Sequence, residues 1–221
     1  VDTVLRGTSY FIGQLTKGRK TSFYMGVYKQ LFDTYSKYYD TSGEAFTTLK
    51  EQLSRQSDNQ VIDRKNFLGH FTASTFVVSK STYHVALVHH NFLGKYLQPG
   101  GHIDESDSSP LDAARRELQE ETGINSAQLL YRYVDIHNKC VPFNIGVQYI
   151  PENPKKQEQA HYHYDLQYLF WSDDDLAITI DQRESSTFAW VAWDSFKVMD
   201  DFTDIAKKIE ALATTPFITK V

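Results

Sequence analysis

The sequence predicts an α+β domain preceded by a helical N-terminal extension, and three observations carry that prediction. Near both ends, and once in the middle, apolar residues recur at three- and four-residue steps, the period of a helix. Between roughly residues 71 and 193 they come instead in short β-rich runs. The strands and helices do not alternate as regular strand–helix–strand units, which argues for layered helices on a mixed sheet. A length of 221 residues suits one domain of about 150 residues plus an extension. The division is expected near residue 60, with residues 1–60 as extension and 61–221 as the main domain.

The elements follow in order. Tyr24, Val27, Tyr28, Leu31, Tyr35, Tyr38 and Tyr39 form an aromatic stripe at helical spacing. Such a stripe usually packs on the body of a protein; a homodimer contact or a lid over a substrate is the other use. Thr41-Ser42-Gly43-Glu44 reads as a capping box opening a second helix that presents Phe46, Leu49 and Leu53. The polar run Ser54–Gln60 reads as a linker. Phe71–Val78 and Tyr83–His90 flank a turn-like Ser79-Lys80-Ser81-Thr82 and suggest a hairpin. Leu129–Ile136, Ile145–Ile150, Asp165–Trp171 and Phe188–Trp193 are further strands. Pro110–Thr122 and Ser195–Ala213 are the two helices expected in this half.

Composition narrows the function. Apolar residues make up 41% of the chain, enough for a core, yet no run reaches the 18 or so needed to span a membrane. The first residues lack a basic stretch followed by an apolar block, so no secretory signal is expected. A lone cysteine, Cys140, cannot form an internal disulfide and fits a cytoplasmic protein with an inert thiol. The net charge of −5 speaks against binding long nucleic acid. That charge is concentrated. Residues 101–124 hold seven acids (Asp104, Glu105, Asp107, Asp112, Glu117, Glu120, Glu121) against Arg115 and Arg116, which accounts for the whole excess.

The concentrated acids sit on a well-marked helix. Ser109 before Pro110, with Asp112 at the third helical position, is a strong start, and Gly123 supplies the stop. Leu111, Ala114 and Leu118 give the buried stripe. Glu117, Glu120 and Glu121 fall within one turn on another side, where like charges repel unless a cation joins them. Upstream, Gln98-Pro99-Gly100-Gly101-His102-Ile103 is a glycine turn able to offer carbonyl oxygens. Hard oxygen donors in this arrangement suit Mg²⁺ or Mn²⁺, whereas zinc-type His/Cys spacing and an EF-hand loop are both missing from this segment.

This segment resembles the Nudix box, G-x5-E-x7-R-E-U-x-E-E-x-G-U. Arg116, Glu117, Leu118, Glu120, Glu121, Gly123 and Ile124 match every fixed place of its second half. The first half departs: counting from Gly101, the glutamate position holds Asp107, and eight residues instead of seven separate it from Arg116. Gly69–Ser74, Val88–His90, Gln98–Ile103 and His161–Leu166 also look like a bacterial Nudix subgroup of undefined substrate, over about residues 65–215. The resemblance implies an α/β/α sandwich around a mixed sheet and a metal-dependent pyrophosphohydrolase acting on a nucleotide-like diphosphate. By similarity, Glu120 and Glu121 hold the ion with the Gly100 carbonyl. Glu117 binds metal or serves as general base, and Arg116 braces the box through a carboxylate. Glu184, six residues before Trp190, stands where some members place a further carboxylate. A Nudix-fold module that binds without cleaving, and an isopentenyl diphosphate isomerase, are the alternatives.

All eight histidines lie between His70 and His163. Most are expected to be ordinary surface or core residues. His161, His163 and Asp165 alternate along one strand face, a row able to bind a second metal, touch phosphates or supply a proton. His102, just after the glycine turn, is expected to face the site with His163 and Asp165 as substrate contacts.

Overall fold

The computed structural model describes residues 26–91, 93–132, 140–154, 157–173, 176–180, 185–213 and 217–218. Three helices come first: α1 (Val27–Tyr35), α2 (Glu44–Arg55) and α3 (Asp58–Ile62). The strands are β1 (His70–Ser79), β2 (His84–His90), β3 (Lys95–Leu97), β4 (Gly100–His102), β5 (Gln128–Arg132), β6 (Asn144–Ile150), β7 (His161–Ser172), β8 (Ser185–Ala192) and β9 (Phe217–Ile218). Helix α4 (Pro110–Thr122) follows β4, and α5 (Trp193–Phe196) and α6 (Thr203–Ala213) follow β8.

The sheet is mixed. Its main path runs β3-β2-β1-β7-β5-β9, with β4 on β1, β6 on β7 and β8 on β2. β1 and β7 pair in parallel over their whole shared length, from His70↔His163 to Ser79↔Ser172. This central pair positions the site. Alternation along β1 sends Phe71, Ala73 and Val77 into a core with α1–α4, and Phe76 and Val78 into a second core with Phe196, Phe202, Ala206 and Ile209. Helices therefore cover both faces, the α/β/α arrangement the sequence resemblance implied. No described helix is long and apolar enough to cross a membrane.

The extension is part of the first core. Tyr28, Leu31, Phe32 and Tyr35 of α1 and Leu49 and Leu53 of α2 are buried there with Phe71 and Tyr164. Tyr28 stacks on Phe71 at 5.1 Å between ring centroids. The Tyr35 hydroxyl receives bonds from the Ile145 N–H (3.3 Å) and from Lys208 Nζ of α6 (3.0 Å).

Four expectations need correction. Thr41 does not cap α2: the N-cap is Gly43, without a side-chain bond, and Thr41 is buried. The capping box lies instead at Ser57 and Gln60, inside the supposed linker, and opens α3. Five residues are too few to show a period, so composition alone suggested a linker. The hairpin is real but minimal, Val78↔Val85, because β4 takes the rest of that edge of β1 at Thr72–Ser74 and β3 takes β2 at Val88–His90. The single C-terminal helix is two, α5 and α6, since Val198, Met199 and Phe202 continue the apolar spacing through a turn. The aromatic stripe is helical from Val27 to Tyr35, while Tyr24 lies outside the described residues, as does the end of the Leu129–Ile136 strand beyond Arg132.

Candidate active site

α4 forms where the sequence placed it. The Ser109 hydroxyl accepts from the Asp112 N–H at 3.1 Å, Pro110 occupies the first turn, and Gly123 ends the helix in the left-handed region at φ 72°. Leu111, Ala113, Ala114 and Leu118 anchor it on the sheet. That anchoring turns Glu117 and Glu121 inward, to 9% and 5% exposure, and leaves Glu120 outward.

β4 receives them. The Gly100 N–H donates to Glu121 Oε2 at 3.0 Å. Gly101 has no side chain where one would collide: a Cβ would lie 2.7 Å from the Glu117 carboxylate. The paired glycines thus let the helix carboxylates press against strand backbone.

Arg116 ties the segment together. Its Nε and Nη2 donate to the two oxygens of Asp107 at 3.0 and 2.9 Å, a bidentate pair. Nη1 donates to Glu117 (2.9 Å) and Glu120 (3.2 Å), and Nη2 also reaches the His102 carbonyl (2.9 Å). Burial works against ionising Asp107, but the Arg116 hydrogen bonds, the Asp104 N–H and the Arg116 charge outweigh it and hold the carboxyl below its usual range. Asp107 bonding, helped by Glu117, raises the Arg116 guanidinium pKa in turn. The extra residue before α4 is absorbed in the capping loop, so Asp107 meets Arg116 despite the altered spacing.

Glu117, Glu120, Glu121, Arg116 and Gly100 are therefore brought together. His102 divides between two settings. Its carbonyl joins Arg116, while its ring lies on the opposite face of β4, stacked on His70 at 5.2 Å and edge-on to His163 at 5.4 Å. Strand alternation explains this, because Gly101 faces α4 and His102 then faces away. Burial, then neighbouring His102, pushes the His70 pKa down to about 4; burial and His70 push His163 down to about 3. Both rings are neutral at pH 7.

The row His161, His163, Asp165 is present, but Asp165 has another occupation. Its carboxylate accepts from Thr72 Oγ1 (3.1 Å), Ser74 Oγ (2.6 Å), Gln98 Nε2 (3.1 Å) and Gln167 Nε2 (3.0 Å). Four donors from β1, β7 and the segment before β4 make it a pin that fixes the glycine turn. Glu184 lies outside the described residues. Half-buried Cys140 offers its carbonyl to the Tyr168 hydroxyl (2.6 Å). Sequence reasoning missed His70, Ser74 and Gln98. The roles of His70 and Ser74 depend on the parallel β1–β7 register, and that of Gln98 on a bond to Asp165 across 67 positions, so none leaves a local signal.

The donor set fits a hard dication: carboxylate oxygens on one helical turn facing a backbone turn, with no thiolate among them. The sequence model of the NUDIX domain matches residues 69–212, and the chain belongs to that family. A curated relative, "Probable DHNTP pyrophosphohydrolase" of Lactococcus lactis subsp. cremoris (strain MG1363), is 37% identical over 82 residues, 37% of this chain and 43% of the relative. The match thus spans less than half of that protein's length. Among solved structures, dihydroneopterin triphosphate pyrophosphohydrolase of E. coli is similar with a TM-score of 0.46 and 12% identity, over 64% of this chain and 92% of that one. A NUDIX-family hydrolase from Clostridium perfringens gives a TM-score of 0.46 and 23% identity, over 65% and 97%.

Proposed function

We propose that the chain is a metal-dependent hydrolase that cleaves the diphosphate linkage of a nucleoside diphosphate-linked substrate. One observation carries this reading: α4 presses Glu117 and Glu121 against the Gly100-Gly101 backbone, with Glu120 on the same turn and Arg116 bonded to both Glu117 and Glu120. Acids so crowded repel one another, and a divalent cation is the partner their oxygens suit.

Glu120 and Glu121 would hold Mg²⁺ or Mn²⁺, with Glu117 and the Gly100 carbonyl completing the protein's share. When bound, such an ion polarises phosphoryl oxygens, helps ionise water and neutralises charge on the leaving phosphate. Glu117 is placed to accept the attacking water's proton, a contribution of about 10²–10⁴-fold. Arg116 keeps Glu117 and Glu120 oriented while itself held by Asp107. Asp165 keeps the glycine turn in place through Gln98 and Ser74.

The retention of all three box glutamates supports an enzyme over a module that binds without cleaving. The experiment is a panel of diphosphate and triphosphate compounds, including DHNTP on the strength of the Lactococcus relative's name, incubated with Mg²⁺, Mn²⁺ or chelator. Release of phosphate, pyrophosphate or a monophosphate is expected from at least one compound, only with metal. Binding of a panel member with no product under any metal would replace this reading with the silent module.

A further inference from the structure

On the face of the sheet away from α4, β1 and β7 bring three histidines to one point. His70 and His163 are register partners, and His161 precedes His163 by one alternation. We propose that His70, His161 and His163 form a second metal site, distinct from the carboxylate cluster, taking a borderline transition-metal dication of the zinc class through their Nε2 atoms.

The ring orientations are those of ligands. His161 Nδ1 stands 2.6 Å from the Gln159 carbonyl, and His70 Nδ1 3.4 Å from the Asn66 carbonyl. A carbonyl only accepts, so each Nδ1 carries its ring's proton and each Nε2 presents a lone pair. Backbone carbonyls orient metal-bound histidines in this way and fix the ligating tautomer. His70 Nε2 is then a buried acceptor with no hydrogen-bond partner among the described residues, in a side chain only 1% exposed. An orphaned acceptor buried at the start of β1 calls for an occupant.

Distances agree. His161 Nε2 and His163 Nε2 are 3.2 Å apart, a hydrogen bond in which the His163 Nε2–H donates to the His161 lone pair, and an ion between the rings would take that proton's place. Zinc–nitrogen bonds of about 2.0–2.1 Å put two nitrogens of a tetrahedron about 3.3–3.4 Å from one another. The candidate ligand atoms of all three histidines lie within 4.8 Å of each other. Small ring rotations would close the set, leaving a fourth position for water or a ligand oxygen. His102 packs against both His70 and His163, and Phe67 against His161 at 5.6 Å, so the cluster is walled by rings.

The ligand chemistry selects the ion. Imidazoles without a carboxylate suit zinc, nickel, copper or ferrous iron, not magnesium. The two sites therefore sort metals by donor type: oxygens on α4, nitrogens across β4. Nothing in this inference depends on the hydrolase reading, and its readout is binding.

The test uses the full chain, stripped with chelator and then held in excess Mg²⁺ so that the carboxylates are competed. Zn²⁺ is titrated by equilibrium dialysis, and Co²⁺ by its visible absorption. A single tightly bound Zn²⁺ per chain is expected, with an intense Co²⁺ spectrum of tetrahedral nitrogen type that Zn²⁺ abolishes. His161→Gln and His163→Gln should each weaken Zn²⁺ by roughly 10²-fold or more, the loss of a group that merely orients a ligand being a lower guide, while Glu121→Gln leaves it unchanged. Should the histidine variants fail to fold, the wild-type Co²⁺ spectrum decides alone. A weak, octahedral-type spectrum, or Zn²⁺ binding that vanishes in Glu121→Gln and survives the histidine changes, would overturn the proposal.

Discussion

Gly101 sets how closely α4 approaches β4. In Gly101→Ala the new Cβ would lie 2.7 Å from the Glu117 carboxylate, the far end of a flexible side chain. The carboxylate should yield and the strand should not. We expect kcat to fall about 10-fold or more, toward the scale of a mispositioned acid–base group, with little change in Tm. Gly100→Ala differs, since its Cβ would meet Ser74 Cα at 2.6 Å and the Ala73 carbonyl at 2.7 Å, both backbone. Overpacking of that kind costs about 1–3 kcal/mol and should appear as a lower Tm. Equal Tm losses for the two variants would contradict this contrast. Arg116→Lys cannot reproduce the bidentate pair with Asp107, whose side chain is 7% exposed. A loss of about 1.5–3 kcal/mol in urea unfolding is expected, the scale of one lost hydrogen bond to a charged group. A wild-type unfolding midpoint would show that the pair is not structural.

At the scale of elements, α1–α3 act as one cover over Phe71 and Tyr164. Asp58 at the start of α3 receives the Val27 N–H (2.7 Å) and Tyr28 N–H (3.3 Å), capping α1 from another helix. Each buried side chain of this cover contributes about 1.5–3 kcal/mol before ordering entropy. A chain starting at Gln60 should therefore lose stability or solubility, and α1 and α2 should resist protease in the intact protein. Rapid cleavage between Val27 and Arg55 that leaves a stable, equally active core would contradict the docked cover. These helices also show what a sequence discloses. α4 was legible at both ends because Ser109, Pro110 and Gly123 are local signals, and its carboxylate cluster follows from helical spacing alone. The cap from Asp58 and the histidine convergence on β1 and β7 are long-range pairings, so no window of sequence contains them. The division of α5 from α6 was hidden for the opposite reason: Val198, Met199 and Phe202 keep helical spacing through residues that turn.

Across the whole molecule, two faces of the sheet hold two polar centres, and the histidine centre makes stability depend on pH. Burial and neighbouring His102 push His70 down to about 4, and burial and His70 push His163 down to about 3. Unfolded, each would bind a proton near the ordinary histidine value of about 6.5. Between about pH 6.5 and pH 4 the unfolded chain thus takes up protons the folded chain refuses, so stability falls as pH falls through that window. For metal-stripped protein, the urea midpoint should be lower at about pH 5 than at about pH 7; an equal midpoint would show that these rings are not buried neutral. The centre on α4 is the one on which the proposed activity depends. The most direct measurement is steady-state turnover of the best panel substrate at saturating Mg²⁺ by wild type, Glu120→Gln and Glu121→Gln, with folding checked by Tm. Each variant should keep its fold and lose roughly 10²-fold or more in kcat, the scale of removing one electrostatic stabiliser of a transition state. Near-wild-type turnover by either variant would contradict the assignment of the reaction to this helix.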